Sequence, residues 1–347
     1  MASTIIERIV DLVERNKAIK YLYYYFIYNI LITQLIENRE MALCYSYQSP
    51  MPLYSHTFSW RENQQLTLAI SSLSLDSLNF IQIVTFDKIS SNFYTIDQYP
   101  THFPQSELDF LPSASLTNTD LLLASSDSIR LFEIKDQKIQ LKGVISQSID
   151  DIYPIISAKF NKFDLSKVFS SSSSENLTIF DIVEQKQVQQ VKIPGCYKGI
   201  FSAKDEILVG GADGVYLWDL RTPSPALLKK TEQDILQVET CQSHMILYIQ
   251  NQSQMIYSVD RRMPSSVMQG KNHKNQVTGL SASKTINNAF LSSGADGNLF
   301  IYEDFQLSKP FLGVKLDCEI ESCCWGAGDG KWISCVAANQ LKLISLF

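Results

Sequence analysis

The sequence lacks the groupings that most enzymatic chemistry needs. Its four histidines, His56, His102, His244 and His273, are scattered, with no His-x-His or His-Glu-x-x-His spacing, so metal catalysis has no ligand set to start from. Cys44, Cys196, Cys241, Cys318, Cys323, Cys324 and Cys335 form no Cys-x-x-Cys pair. An odd number of thiols in mostly apolar, strand-like settings predicts buried free cysteines in a reducing compartment. Cys323 and Cys324 face opposite sides if they lie in a strand, which argues against a shared metal. There is no Gly-x-Ser-x-Gly elbow. Gly210-Gly211-Ala212-Asp213-Gly214 runs into a strand pattern rather than a helix, so it is a hairpin turn and not a phosphate loop. No Lys/Arg run stands out in a chain of 347 residues and net charge −6, and direct nucleic-acid binding is not expected. No catalytic, cofactor or metal site is assigned.

The chain does have apolar mass, 45% of residues with 11% aromatic, ample for a large core. It also has a repeat. Gly211-Ala212-Asp213-Gly214 leads into Val215-Tyr216-Leu217-Trp218-Asp219, and Gly294-Ala295-Asp296-Gly297 leads into Asn298-Leu299-Phe300-Ile301-Tyr302-Glu303. In each, the Asp-Gly pair is expected to supply the positive φ angles of a tight hairpin. Strands closing on an acid recur at Asp87, Glu133, Asp181, Asp219, Asp260 and Glu303, and a last one, without its acid, ends at Leu346. The intervals are 38 to 48 residues, the period of four short strands per unit in a WD-repeat β-propeller. The fold expected for residues 41–347 is therefore an all-β, seven-bladed, monomeric propeller.

A second strand precedes each turn, as in Leu121 to Ser126, Glu206 to Gly211 and Ala289 to Gly294. Each is an apolar run collapsing into Ser, Ala or Gly, as expected of a strand narrowing toward a crowded centre. The serine run Ser170 to Ser174 matches these by position, which outweighs a reading as phosphorylation sites. The last unit lacks its outermost strand. Leu43, Tyr45 and Tyr47 share one face, with Cys44 and Ser46 between them, and this segment is the natural partner to close the ring.

Residues 1–40 stand outside the repeat. Ile5, Ile9, Leu12 and Val13 share a helical face, with Glu7, Arg8, Glu14 and Arg15 available to solvent. Residues 18–36 are nearly all apolar or aromatic and just long enough to span a bilayer as a helix. Lys20, Asn29, Thr33 and Gln34 are costly there, and the long charged lead-in does not fit a signal peptide. Three readings stay open: a helix packed on the propeller or a partner, a membrane anchor, or spurious sequence ahead of a true start at Met41.

Several stretches carry a family resemblance. Tyr45-Ser46-Tyr47-Gln48-Ser49-Pro50 with Tyr54 and Trp60, Leu68 to Ser72 leading to Asn79 to Val84, Tyr99-Pro100-Thr101 with Asp120 to Leu131, and Glu319-Ile320, Trp325 and Trp332-Ile333 resemble the Transparent Testa Glabra proteins and their animal counterpart, a DDB–cullin-associated WD-repeat factor. The resemblance runs collinearly from about residue 42 to 347. Two departures stand out: Gly195-Cys196 stands where the family has an Ala-His or Gly-His pair, and the stretch from Pro194 to Ile207 is shorter.

The resemblance implies a scaffold for transcription regulators or protein kinases, in the nucleus and cytoplasm. It also gives Asp219-x-Arg221 and Asp260-x-Arg262 a meaning, because such boxes in WD-repeat proteins are associated with docking on the DDB adaptor of cullin–RING ligases. The structural alternative is that Asp closes the strand and Arg pairs locally. His273, Ser292 or Ser293, Asp296 and Tyr302, the last in the usual Trp place, are expected to form the polar network that staples a blade. Asp213 and Trp218 are their counterparts in the other well-spelled unit. The network is read as structural, not as a nucleophile. Membrane tethering of a trafficking scaffold depends wholly on residues 18–36, and a propeller enzyme would need ionisable groups converging on the central channel, a set not visible in the sequence.

Overall fold

The computed structural model describes residues 43–61, 65–75, 78–112, 120–145, 153–241, 244–326 and 328–346. The readings for residues 1–40 and for a start at Met41 lie outside them. Every sheet among the described residues has four antiparallel strands, and there are seven such sheets. In chain order, blade 1 spans residues 53–101, blade 2 107–145, blade 3 155–192, blade 4 199–230, blade 5 235–270 and blade 6 277–315. Blade 7 takes three strands from 322–345 and its outermost strand, Leu43–Gln48, from the other end of the chain. Strands are lettered a to d outward, the a strands of adjacent blades meeting around the centre.

The repeat positions fall in phase. The strands that close on an acid are all c strands, from Asn79–Asp87 in blade 1 to Asn298–Tyr302 in blade 6. The runs that collapse into small residues are b strands, such as Asp120–Ser125, Glu206–Gly211 and Phe290–Gly294. Ser170, Ser171 and Ser172 end the b strand of blade 3 and are fully buried. The apolar side chains of these strands form separate clusters, each shared by two neighbouring blades. Phe169, Leu177 and Ile179 of blade 3 meet Phe201, Ile207 and Trp218 of blade 4, for example.

The small residues at the end of strand b have a definite task. Inner strands converge there, and at most seams the backbone carbonyl that begins the next blade is drawn away from water and needs a donor. Ser55 Oγ and Ser71 Oγ lie 2.8 Å apart and both donate to the Gln105 carbonyl. Ser106 Oγ donates to Ile155 O at 2.7 Å, beside Ser125 Oγ at 2.9 Å. Ser171 Oγ reaches Tyr197 O at 2.6 Å. Thr278 Oγ1 reaches Ile320 O at 2.6 Å, with Ser293 Oγ at 3.0 Å. Ser322 Oγ donates to Tyr54 O across the closing seam at 3.4 Å. At the remaining two seams the chemistry changes. Gly210 sits so tightly on blade 5 that a Cβ there would collide with the Ile235 carbonyl oxygen. Gln237 of blade 5 holds Leu280 of blade 6 by both its backbone groups, Nε2 to O at 2.7 Å and N to Oε1 at 3.2 Å.

The closing seam has two further ties. The Tyr45 ring lies tilted against Phe86 with centroids 4.6 Å apart, and Tyr47 donates its hydroxyl to Gln82 Oε1 at 2.8 Å, so the strand Leu43–Gln48 packs on blade 1 as well as pairing in blade 7. Leu43 shares their face of the strand but is exposed. His56, in the a strand of blade 1, reaches Ser322 Oγ through Nδ1 at 3.0 Å and Ser334 Oγ through Nε2 at 2.9 Å, both in blade 7. Burial pushes its pKa down to about 4.

One expectation needs correction. Neither Asp213 nor Asp296 has a positive φ; only the glycines do, Gly297 at 75° and Gly214 at 157°. The turns also differ in length. Gly211 pairs directly with Gly214, whereas the blade 6 turn runs from Gly294 to Asn298, with Gly297 in the left-handed place that follows a type I turn.

Two outcomes follow for stability. Ser171→Ala removes the donor to the half-buried Tyr197 carbonyl and should cost about 1–3 kcal/mol in denaturant unfolding, while Gly210→Ala should cost a similar ~1–3 kcal/mol by overpacking. His56 is neutral in the fold and takes up a proton more readily when unfolded. Its contribution is therefore full above about pH 6.5 and lost as pH falls toward about 4. His56→Gln should flatten the stability-versus-pH curve in that window, measured by unfolding midpoints, and an unaltered slope would show that the closing seam does not titrate there.

Candidate docking surfaces

The Asp that ends the c strand in blades 1, 3, 4 and 5 is first a turn former. An Asp there accepts the backbone N–H two residues on: Asp87 from Ile89 at 3.0 Å, Asp181 from Val183 at 2.9 Å, Asp219 from Arg221 at 3.0 Å and Asp260 from Arg262 at 2.9 Å. A short carboxylate suits this local bond and stops the strand. In blades 4 and 5 the same carboxylate also takes the guanidinium. Arg221 donates Nε and one terminal nitrogen to Asp219 at 2.8 and 2.6 Å, and Arg262 does the same to Asp260 at 3.0 and 2.6 Å. The bonds from Arg hold both carboxyls down at about 2. The Arg side chains are 75% and 64% exposed, so two oriented, self-paired forks stand on adjacent blades. Each pair by itself contributes little to folding.

Arg261, between them in sequence, does something else. It forks Glu206 of blade 4 with two bonds of 2.8 Å and is only partly exposed. This inter-blade clamp was not read from the sequence. In a run of two arginines, only the turn geometry decides which one faces the neighbour and which faces solvent.

The blade 6 network comes together as a chain of hydrogen bonds. His273 Nδ1 lies 3.0 Å from Asp296 and Nε2 2.7 Å from Ser292 Oγ. Asp296 also accepts from Lys274 N at 2.7 Å and Asn298 Nδ2 at 2.7 Å. Burial disfavours its charge, but these donors outweigh it and hold the pKa near 2. An ionised Asp296 requires the proton on Nδ1, so Nε2 accepts from Ser292. Tyr302 completes the set: its hydroxyl bonds Ser292, accepts from Asn272 at 3.3 Å, and its ring stacks on Phe290 at 4.7 Å. The order Asp-His-Ser is that of a hydrolase triad, but Ser292 is fully buried within a strand. Substrate has no route to it, and Ser293 turns to the next seam.

Asp213 does not share this role. Cys196, buried where the family pattern has histidine, leaves the carboxylate no imidazole, and Asp213 accepts instead from the Tyr216 hydroxyl at 2.7 Å. Burial and that bond raise Tyr216 to about 12. Trp218 is buried in the seam with blade 3, its Nε1 donating to Thr222 O at 3.3 Å. Cys323 and Cys324 face opposite ways, the first toward Gly279 of blade 6 and the second onto the core of blade 1. All seven thiols are free.

The sequence also missed a charged cluster at the centre. Glu107 and Asp109 of blade 2, Lys159 of blade 3 and Glu239 of blade 5 all lie on a strands. Lys159 Nζ is 3.4 Å from Glu107 and 3.6 Å from Glu239, and Ser157 donates to Glu107. Burial works against the Lys159 charge, but the three carboxylates outweigh it and raise its pKa. Asp109, held by Phe160 N at 2.9 Å, is pushed up to about 6 by burial. The expectation that ionisable groups do not converge on the channel is thus corrected. The signal was the alternation Glu107-Leu108-Asp109-Phe110, legible only once these strands are known to be innermost.

The two well-spelled turns predict different responses. Asp296→Ala strands His273, Lys274 N and Asn298, and should cost ~2 kcal/mol or more, while Asp213→Ala loses one bond at the surface and should cost about 1 kcal/mol or less. Equal losses in urea unfolding would refute the distinction.

No family model matches the chain. A DDB1- and CUL4-associated factor 7 homolog of Dictyostelium discoideum is 24% identical over 324 residues, spanning 88% of this chain and 100% of the relative. With seven four-stranded sheets in a closed ring and a complete His-Ser-Asp-Tyr network in blade 6, the chain is a β-propeller of the WD-repeat type.

Proposed function

We propose that this protein is a non-catalytic scaffold that holds other proteins together, its partners being transcription regulators or protein kinases. The observation that carries this reading is where its polar chemistry is spent. The triad-like set of blade 6 is sealed in the core, and Lys159 is tied to Glu107 and Glu239. What reaches solvent is a rigid ring with turns on two faces, suited to separate protein ligands.

A second reading is a substrate receptor of a cullin–RING ubiquitin ligase of the Transparent Testa Glabra and DDB–cullin-associated kind. Two facts favour it: the Arg221 and Arg262 forks on neighbouring blades, and the name of the Dictyostelium relative, which ties that protein to DDB1 and CUL4. A guanidinium already oriented by its own aspartate loses little freedom on meeting a partner's acceptor.

Purified DDB adaptor, titrated against the full chain and against the Arg221→Ala, Arg262→Ala double variant, separates these readings. Ligase recruitment requires binding that weakens about tenfold or more in the variant, with an unchanged unfolding midpoint. Equal affinity removes the Asp-x-Arg argument, and no binding at all removes the ligase reading. Proximity labelling from the full chain should then return kinases or transcription regulators if the scaffold reading holds.

A further inference from the structure

The two forks stand in turns of one design. Asp219-x-Arg221-x-Pro223-Ser224 in blade 4 and Asp260-x-Arg262-x-Pro264-Ser265 in blade 5 both lie between strands c and d. Each turn is closed by a backbone bond to the aspartate carbonyl, from Thr222 N at 2.9 Å in one and from Met263 N at 2.9 Å in the other. Each then sets an exposed serine three residues after its arginine. The spelling parts at the next position, where Ser224 is followed by Pro225 and Ser265 by Ser266.

In blade 4 the turn is pinned as far as Thr222. The Thr222 carbonyl accepts from Trp218 Nε1 at 3.3 Å, and its hydroxyl donates to Asp219 O at 2.8 Å and to Ser224 O at 3.1 Å. Thr222-Pro223 is a second hydroxyl before a proline, but the fold already uses it. The exposed Ser224 hydroxyl, by contrast, makes no hydrogen bond among the described residues. Pro223 and Pro225 on either side of it carry no N–H. Seating this stretch in the cleft of an enzyme therefore breaks few bonds of the fold, and it opens onto the edge strand Ala226–Lys230.

We propose that Ser224 is a phosphorylation site, and that its phosphate takes the open side of the Arg221 guanidinium and closes this fork to partners. The inference rests on the reading of Arg221 as a docking residue and adds its regulation. A proline-directed serine/threonine kinase with ATP supplies the chemistry. The bond from Ser224 Oγ to the γ-phosphorus forms, and the bond from that phosphorus to the bridging oxygen breaks. ADP leaves with the oxygen, and the hydroxyl proton passes to the kinase's base. Arg221 has five N–H donors and spends two on Asp219, which leaves donors for a second acceptor. Asp219, Asp205 and Glu206 bear on the same guanidinium, so the phosphate competes with carboxylates, and it brings about −1.5 to −2 charges and three acceptor oxygens. Three residues of chain span at most about 10 Å, roughly the Debye length in 0.1 M salt. The added charge thus also repels an acidic acceptor that approaches the fork.

Treatment of the full chain with a purified proline-directed kinase and ATP tests this. Phosphopeptide mass spectrometry should find phosphate on Ser224 in preference to Ser265, and the label should be lost in Ser224→Ala. Phosphorus NMR then reads the contact. The second ionisation of the Ser224 phosphate should lie lower in the wild-type chain than in Arg221→Ala, because the guanidinium favours the dianion. Affinity for purified DDB adaptor should fall about tenfold or more on phosphorylation, while unmodified Ser224→Ala binds as the wild type does and all forms keep one unfolding midpoint. No preference for Ser224, an ionisation indifferent to Arg221, or an adaptor that binds both forms equally overturns the proposal. An adaptor that binds neither form removes the ligase reading instead, and the phosphate's ionisation still decides whether Arg221 holds it.

Discussion

The ring depends on how each blade satisfies the first carbonyl of the next. Seven sheets splayed around a centre bring their inner strands close at one end, where backbone oxygens are cut off from water. An unpaired buried carbonyl costs as much as a lost hydrogen bond, and a large side chain does not fit. A small hydroxyl answers both demands: Ser71 and Ser171 donate directly, Ser125 and Ser293 back the Ser106 and Thr278 hydroxyls that do, and all four b-strand serines are fully buried. The other two seams use different contacts: Gly210 packs without a side chain against Ile235, and Gln237 holds both backbone groups of Leu280 in mid-strand. The apolar clusters between blades supply the greater part of the driving force, but they specify no angle. The hydroxyl bonds fix the registration of one blade on the next, and so hold the turns that form the two faces.

Much of this order was legible because it repeats. A b strand fading into serine and a c strand ending in an acid each have a local physical cause, the staple and the turn, and a local cause leaves its mark in most units. The closing strand was legible for a related reason: Tyr45 and Tyr47 alternate with Cys44 and Ser46, and a ring with one strand missing has one place for them. The charged cluster at the centre was not. Glu107, Asp109, Lys159 and Glu239 come from three blades that meet only in the closed ring. Nothing in the spacing from 107 to 239 signals the meeting. The same holds for Arg261 and Glu206.

The two Gly-Ala-Asp-Gly turns show the limit of reading by motif. Their spelling is identical, and the turns differ in length, in the conformation of their glycines and in what the aspartate holds. The deciding residue lies well upstream: His273 in blade 6, Cys196 in blade 4. With the imidazole, Asp296 becomes the anchor of a buried chain through Ser292 to Tyr302. Without it, the carboxylate turns to the nearest donor, the Tyr216 hydroxyl. A turn motif encodes a backbone path, and its side chain takes its role from the partner that path delivers.

The same logic separates core from surface in blades 4 and 5. Asp219 and Asp260 are committed to their turns by the backbone bond, whatever the arginine does. Arg221 and Arg262 add little to the fold, because exposed pairs of this kind are nearly neutral, yet they are held in fixed orientation. Arg261 is the reverse case, spent on a neighbouring blade and much less exposed than the two forks. A side chain that is oriented but not needed by the fold is the one available to a partner. By that criterion the forks in the c–d turns of blades 4 and 5 are the surface that a scaffold of this shape would offer.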